Sequence, residues 1–305
     1  MTNALTILAA FILGFALSRA STCTVAATMR LVHQRKVDWL LGIAIAVSWS
    51  ALALFLITLL MSDQMATPQA FAVNTTLIVA AVVMGVGAWM NGGCFIGSVG
   101  KVSSGNLSFL ATFAGLAVSQ FMGDLVYGLD LTSMTPTSRL TPQSGPIFWA
   151  FAATFVALLG WSIWRVARRR QEAIIALAIM GAAAAIVYSL QPAWSYEALI
   201  GRLVHGQDIT KDLVVVAAVV ALFSGATISA ALNQKFQVTH AGAIGTMFCF
   251  LGGLLMGVGA QLMPGGNDTL ILWVIPSFAF HALVAYLLMI ATVAALLMVK
   301  PPPAI

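Results

Sequence analysis

The sequence predicts an all-α polytopic membrane protein of about nine transmembrane helices, built as two inverted repeats with short re-entrant or broken segments. Three observations carry that expectation. Of 305 residues, 61% are hydrophobic and only 8% are charged, whereas a soluble domain is about half apolar and about a quarter charged. Apolar runs of about 20 residues, the length that crosses a bilayer as a helix, recur along the whole chain. The string Met84-Gly85-Val86-Gly87-Ala88 returns as Met256-Gly257-Val258-Gly259-Ala260.

The apolar runs fall at roughly 4–22, 38–61, 71–90, 107–127, 147–165, 173–190, 212–232, 241–262 and 269–298. The first contains Arg19 and has neither a basic leader nor a small-residue cleavage site, so it reads as a span and not as a removable signal. The last is long and interrupted by Pro276. With the N-terminus outside, the inner connections carry Arg30, Arg35, Lys36, Lys101, Arg165, Arg168, Arg169, Arg170, Lys235 and Lys300, and the outer ones only Arg139, Arg202 and Lys211. That asymmetry places the central Arg165–Arg170 loop and the C-terminus on the cytoplasmic side of a bacterial inner membrane. The net charge of +5 is scattered between apolar runs with no basic stripe interleaved with aromatics. It excludes nucleic acid and points to membrane lipid as the partner.

Each copy of the repeated string closes a span and runs into a polar turn. These are Asn91-Gly92-Gly93-Cys94 in the first half and Pro264-Gly265-Gly266-Asn267 in the second. One loop earlier, each half has a span ending in a polar segment, Ser18 to Cys23 and Asn233 to Gln237. The copies lie on the third and eighth spans, and an odd offset reverses direction. The expected units are residues 1–150 and 151–305, whose broken segments meet near the midplane as in transporters with inverted repeats. Packing of unrelated glycine-rich helices is the alternative.

The stretch Asn91 to Gly105 holds five glycines, three serines and Lys101. Such backbone is tolerated at membrane depth only when buried in protein or lining a watery cavity. Glycine N–H groups and a helix start can meet an anion there; a plain cytoplasmic turn is the other reading. Val102 stands at the Ser/Thr position of a Walker A loop, so no nucleotide site is expected. Cys94 lies in this stretch and Cys23 follows Arg19. A thiol beside a cation suits an anion that carries a polarisable terminal sulfur. Arg19 and Asp124, charges within or at the edge of spans, are candidates for a functional or paired role. Cys249, in mid-span, reads as a small apolar residue. His240 and His281 have no partner at metal-ligand spacing, and the sequence shows no HExxH, no Ser/His/Asp pattern and no paired carboxylates. No metal, cofactor or hydrolytic chemistry is therefore expected. The candidate substrate-binding set is Arg19, Cys23, Asn91, Gly92, Gly93, Cys94 and Gly97, with Gly265, Gly266, Asn267 and Gln237 in the second half.

Three stretches together resemble the YeeE/YedE (sulphur transport) family of bacterial inner-membrane proteins. They are Gly14-Phe-Ala-Leu-Ser-Arg19-x-x-x-Cys23, Met84-Gly-Val-Gly-Ala-x-x-Asn-Gly-Gly-Cys94-x-x-Gly97 and Gly252-Gly-Leu-Leu-Met-Gly-Val-Gly-Ala-Gln-Leu262. The resemblance implies an inverted repeat with short broken helices, thiosulfate uptake, and cysteines that hand the anion inward through S–H contacts. By position, Cys23 and Cys94 match the family's first-half cysteines. The second half departs from the pattern: Gly266 stands where the late motif has cysteine, and Gln237 matches the other. The resulting expectation is a permease for a small inorganic sulfur anion through a narrow Cys/Gly-lined path, with an open loop at Gly266. Two other readings stay open. One is a membrane partner that delivers sulfur to a cytoplasmic sulfurtransferase docking near Lys101 and the Arg165–Arg170 loop. The other is an intramembrane redox enzyme using Cys94, disfavoured because no second thiol lies near it in sequence.

Overall fold

A computed structural model of the chain describes residues 2–20, 23–61, 68–122, 136–137, 145–168, 171–209, 213–263 and 265–303. Asp124, Arg139, Arg169, Arg170, Lys211 and Pro264 lie outside the described residues. Among the described residues, eight helices are long and apolar enough to cross a membrane, and Leu107–Phe121 forms a shorter apolar one. Large side chains such as Phe55, Leu60, Val156, Val220 and Met298 are exposed on them. That is the surface expected where lipid is the solvent.

In chain order the helices are α1 (Thr2–Ala20), α2 (Thr24–Gln34), α3 (Asp38–Met61), α4 (Thr75–Met90), α5 (Phe95–Ser103) and α6 (Leu110–Phe121), the last entered through a 3₁₀ turn at Leu107–Phe109. They continue as α7 (Pro146–Arg168), α8 (Glu172–Leu190), α9 (Tyr196–Val204), α10 (Leu213–Leu232) and α11 (Gly242–Leu262). Last come α12 (Asn267–Thr269), which runs into a π-turn at Leu270–Val274, and α13 (Phe280–Val299). Two short strands, β1 (Ala70–Phe71) and β2 (Pro136–Thr137), pair antiparallel. Segments that read in sequence as loops thus contain the short helices α2, α5 and α9. The interrupted run at 269–298 resolves into the end of a broken helix and a separate span, α13.

Contacts between connections fix the alternation of spans. Gln237 N–H donates to Ser104 O at 2.9 Å and Leu107 N–H to Thr239 O at 3.0 Å. At the same end Trp89 Nε1 donates to Lys300 O at 3.2 Å, and Arg19 lies 3.7 Å from Glu172. At the opposite end Phe71 N–H donates to His281 Nδ1 at 3.2 Å. All of these join segments that nine crossings place on one side, with α1, α3, α4, α6, α7, α8, α10, α11 and α13 as the crossings.

The repeated string forms the central crossing. A Cβ at Gly87 would lie 2.7 Å from Met256 N, and one at Gly259 would lie 2.9 Å from Ala80 O. Rising numbers on α4 therefore face falling numbers on α11, so the two copies run antiparallel. The remaining packing is unchanged when the halves are exchanged: α1 against α10 answers α8 against α3, α4 against α13 answers α11 against α6, and α2 against α13 answers α9 against α6. Exchange pairs α1–α6 with α8–α13 and leaves α7 without a counterpart. Its match for the break after α1 is the break between α8 and α9, at Ser195. The polar segment Asn233 to Gln237 instead follows α10 at an exposed end.

At the crossing glycine is required because backbone meets backbone. Gly87→Ala is expected to lower stability by about 1–3 kcal/mol, the typical result of overpacking. Gly160→Ala, on α7 with nothing within 4 Å, is expected to leave it unchanged or slightly raised. Thermal melting in detergent compares them, and equal melting temperatures would contradict the close crossing.

Candidate functional site

The break between α4 and α5 is built as a helix cap. Gly92 adopts φ 60°, Gly93 N–H reaches back to Ala88 O at 3.1 Å and Gly92 N–H to Trp89 O at 3.1 Å, the pattern of a Schellman ending. The N–H groups of these glycines are thus consumed by α4 and do not face an anion. Asn91 is fully buried and satisfied. Its Nδ2 donates to Gly93 O at 2.7 Å and Ser98 Oγ at 2.8 Å, and its Oδ1 accepts from Thr112 Oγ1 at 2.6 Å. It clamps the turn rather than presenting a free group. The second break repeats the cap, with Gly265 N–H reaching Ala260 O at 3.0 Å.

The turn delivers Cys94 to the N-cap of α5, and the break after α1 delivers Cys23 to the N-cap of α2. Cys94 is fully buried and Cys23 half-buried. Their sulfurs are 3.9 Å apart in S–H···S contact, and Thr24 N–H points to Cys94 Sγ at 3.4 Å. Gly97 leaves room for this pair: a Cβ there would lie 2.6 Å from Cys23 Sγ. A second thiol therefore does lie beside Cys94, which removes the sequence argument against thiol–thiol chemistry. Cys249 stays buried within α11.

Exchange of the halves sets Ser195 and Gly266 opposite Cys23 and Cys94, each 172 positions later in the chain. Ser195 caps α9, accepting from Ala198 N–H at 3.2 Å. Gly266 precedes α12 and is not open, contrary to the expectation from sequence. A Cβ there would collide with Asp268 Oδ1 and lie 2.9 Å from the Phe95 ring and 3.1 Å from Glu197 Oε2. Two carboxyl groups therefore flank the space that a thiol would fill. These two are 71 residues apart, the same interval that separates Cys23 from Cys94, so they form no pair recognisable along the chain. The acid directly after Gly265-Gly266-Asn267 was the available signal.

Asp268 is buried, and its Oδ2 accepts from Tyr196 OH at 3.1 Å, while Oδ1 has no hydrogen-bond partner among the described residues. Asn267 is fully buried and ties the halves together, accepting from Phe95 N–H at 3.1 Å; its Nδ2 is unpartnered among the described residues. Glu197 and Asp268 stand on short helices outside the nine spans. Burial first, and then the charge of Asp268 facing Glu197, hold the Glu197 carboxyl above the usual carboxylate range, and burial raises Asp268 likewise. Glu197 borders a cavity of about 590 Å³, lined also by Gly265 and Thr269 on either side of Asp268 in the chain and by Ser195, Arg202 and His205. Phe71 and Gln120 on its wall mark it as opening toward the end opposite Lys101 and Lys300.

Two residues of the candidate set lie elsewhere. The Arg19 guanidinium pairs with Glu172 and sits 5.3 Å over the Phe15 ring, an arrangement at the end of a helix. Gln237 is exposed in the connection after α10, hydrogen-bonded through its backbone to Ser104, far along α5 from Cys94. It is not the counterpart of a cysteine in this fold; Ser195 holds that place.

The family described as sulphur transport matches the chain over residues 19–178 and 129–295. No curated protein matches it.

Because Asp268 occupies the space of a side chain at 266, Gly266→Cys is expected to destabilise the protein by about 1–3 kcal/mol. Adding Asp268→Ala should return most of that loss, a non-additive pair readable by melting in detergent. Full stability of Gly266→Cys alone would show that the carboxyl does not hold that space.

Proposed function

The chain belongs to the sulphur transport family, and from that premise we propose that it passes a small sulfur-containing anion of the thiosulfate kind across a bacterial inner membrane. The observation that supports this most is the placement of two thiols, 3.9 Å apart, just beyond the floor of a polar cavity that opens toward one end of the bundle. The anion would descend the cavity to Gly265 and Glu197, squeeze past the Gly266–Phe95 contact and meet Cys94 and Cys23. It would then continue along α5 toward Lys101 and the basic end. A terminal sulfur is large, polarisable and weakly hydrated, so an S–H group is a better match for it than a hydroxyl is. The starts of α2 and α5 add their positive dipole ends beside the thiols. The repeat units in this reading are residues 2–120 or so and 172–299, with α7 as the link. The excess of Lys and Arg puts the basic end in the cytoplasm, the N-terminus outside and the C-terminus inside.

Delivery of sulfur to a soluble sulfurtransferase would use the same basic end, but would give no flux in a purified system. In proteoliposomes the chain alone is expected to take up labelled thiosulfate. Cys94→Ser should reduce that uptake by at least about tenfold, equivalent to roughly 1.4 kcal/mol of lost stabilisation. Cys249→Ser, on α11 and outside the thiol pair, should change it by less than about twofold. Uptake unaffected by Cys94→Ser would remove the thiol path, and absence of uptake without a soluble protein would favour delivery. For orientation, a cysteine placed at Gln207 should react with an impermeant thiol reagent on whole cells, and one at Lys235 only after the membrane is opened. The reverse pattern would invert the assignment.

A further inference from the structure

The second half has lost the thiols that the exchange of halves would place at 195 and 266, yet it has not become a plain apolar wall. Its contact point carries two carboxyl oxygens, Asp268 Oδ1 and Glu197 Oε2, around the place of a side chain at 266, and Glu197 also lines the cavity. This is a poor arrangement for passing an anion if both groups are ionised, because like charges in a partly dehydrated site repel. It is a good one if they are protonated, because a carboxylic acid has an O–H to donate. Asp268 Oδ1 is buried, aimed at this space, and without a hydrogen-bond partner among the described residues. Glu197 lines the cavity and so can exchange protons with water there. The Gly266 backbone N–H faces the Glu197 carboxyl, which keeps its oxygen turned toward the constriction.

We propose that Glu197 and Asp268 form the oxygen-binding half of the anion site and act in their protonated form. They donate hydrogen bonds to the oxygens of a mixed sulfur–oxygen anion while Cys94 and Cys23 receive its terminal sulfur. The inference rests on the reading of the chain as a permease for a sulfur anion, and it deepens that reading by giving the site two chemically different ends. An anion with oxygens at one end and a single exposed sulfur at the other fits both; a bare sulfide fits only the thiols, and sulfate only the acids. The pair becomes charged on the alkaline side, so passage is supported while a proton is held and is lost as the outer pH rises.

Other titratable groups that face the pair do not remove this dependence. The Tyr196 hydroxyl donates to Asp268, Tyr188 bonds to Thr269 across the same turn, and Cys94 faces Asp268 from the other half. Arg202 and His205 line the outward stretch of the cavity. Both tyrosines and Cys94 remain in place when Glu197 and Asp268 become amides, so a pH dependence of their making survives that change and one made by the carboxyls does not. His205 lines the same cavity as Glu197, so its glutamine variant is included as a control.

The test uses labelled thiosulfate uptake into proteoliposomes, with the outer pH stepped from about 5 to about 9, for the parent, Glu197→Gln/Asp268→Asn, and His205→Gln. The parent is expected to lose uptake on the alkaline side by up to about tenfold per pH unit, the fall of the protonated fraction. The double amide variant keeps N–H donors that cannot ionise, and should show a lower uptake with no alkaline fall. His205→Gln should keep the parent's profile. A flat profile in the parent, or an alkaline fall that survives in the double variant or disappears in His205→Gln, would overturn the proposal. Absence of uptake in the parent at every pH would instead overturn the transport reading beneath it. Melting temperatures establish that each variant is folded. If the double variant is not, Glu197→Gln alone is used, for which the alkaline fall should shift or shrink; an unshifted fall counts against the proposal.

Discussion

A helix that stops inside a membrane leaves backbone donors and acceptors that lipid cannot satisfy, and the rest of this structure is arranged around meeting that requirement. The α4–α5 break survives because Gly92 and Gly93 close the end of α4 and because Asn91 makes three hydrogen bonds across the turn. The start of α5 is met from the other half by Asn267. Such a break is possible only where two half-chains supply each other's partners. It also brings helix starts, and the side chains that cap them, into the interior. The thiols and the carboxyls reach the centre of the protein as N-cap residues and their neighbours.

Close packing fixes where these starts meet. Gly87 and Gly259 let α4 and α11 touch backbone to backbone, which draws the two breaks to either side of one crossing. Without the glycines the helices would separate by the width of a side chain, and the Phe95–Asn267 hydrogen bond would have no partner within reach. The strict spacing of the repeated string is therefore a condition for the site as well as for the fold.

Spans, alternation and the central crossing were legible in the sequence because each leaves a local trace: apolar runs of the right length, basic residues on one side, and a repeated string whose odd offset implies reversal. The short helices were not legible, since nine residues rich in glycine and serine, as in α5, look like a turn. Burial on several sides, not propensity, stabilises them. Gln237 resembles Cys23's counterpart in sequence because it lies one loop before the repeated string, as Cys23 does in the first half. In the fold the equivalent break lies before α10, at Ser195. The acid pair was invisible for a plainer reason: Glu197 and Asp268 are brought together only by tertiary packing. The two halves thus share a backbone plan and differ in chemistry, thiols in one and carboxyls in the other.

If the route of the anion is the contact between these halves, it must pass the thiol pair, and closing that pair should close the route. The two sulfurs are 3.9 Å apart in the reduced protein, near enough for a mild oxidant to couple them with small movement of the side chains. The decisive measurement is thiosulfate uptake by a Cys249→Ser protein before oxidation, after oxidation, and after treatment with a reductant, with the extent of coupling followed by loss of free thiol. Uptake that falls in proportion to coupling and returns on reduction is the predicted result. Undiminished uptake through a fully coupled protein would contradict the account.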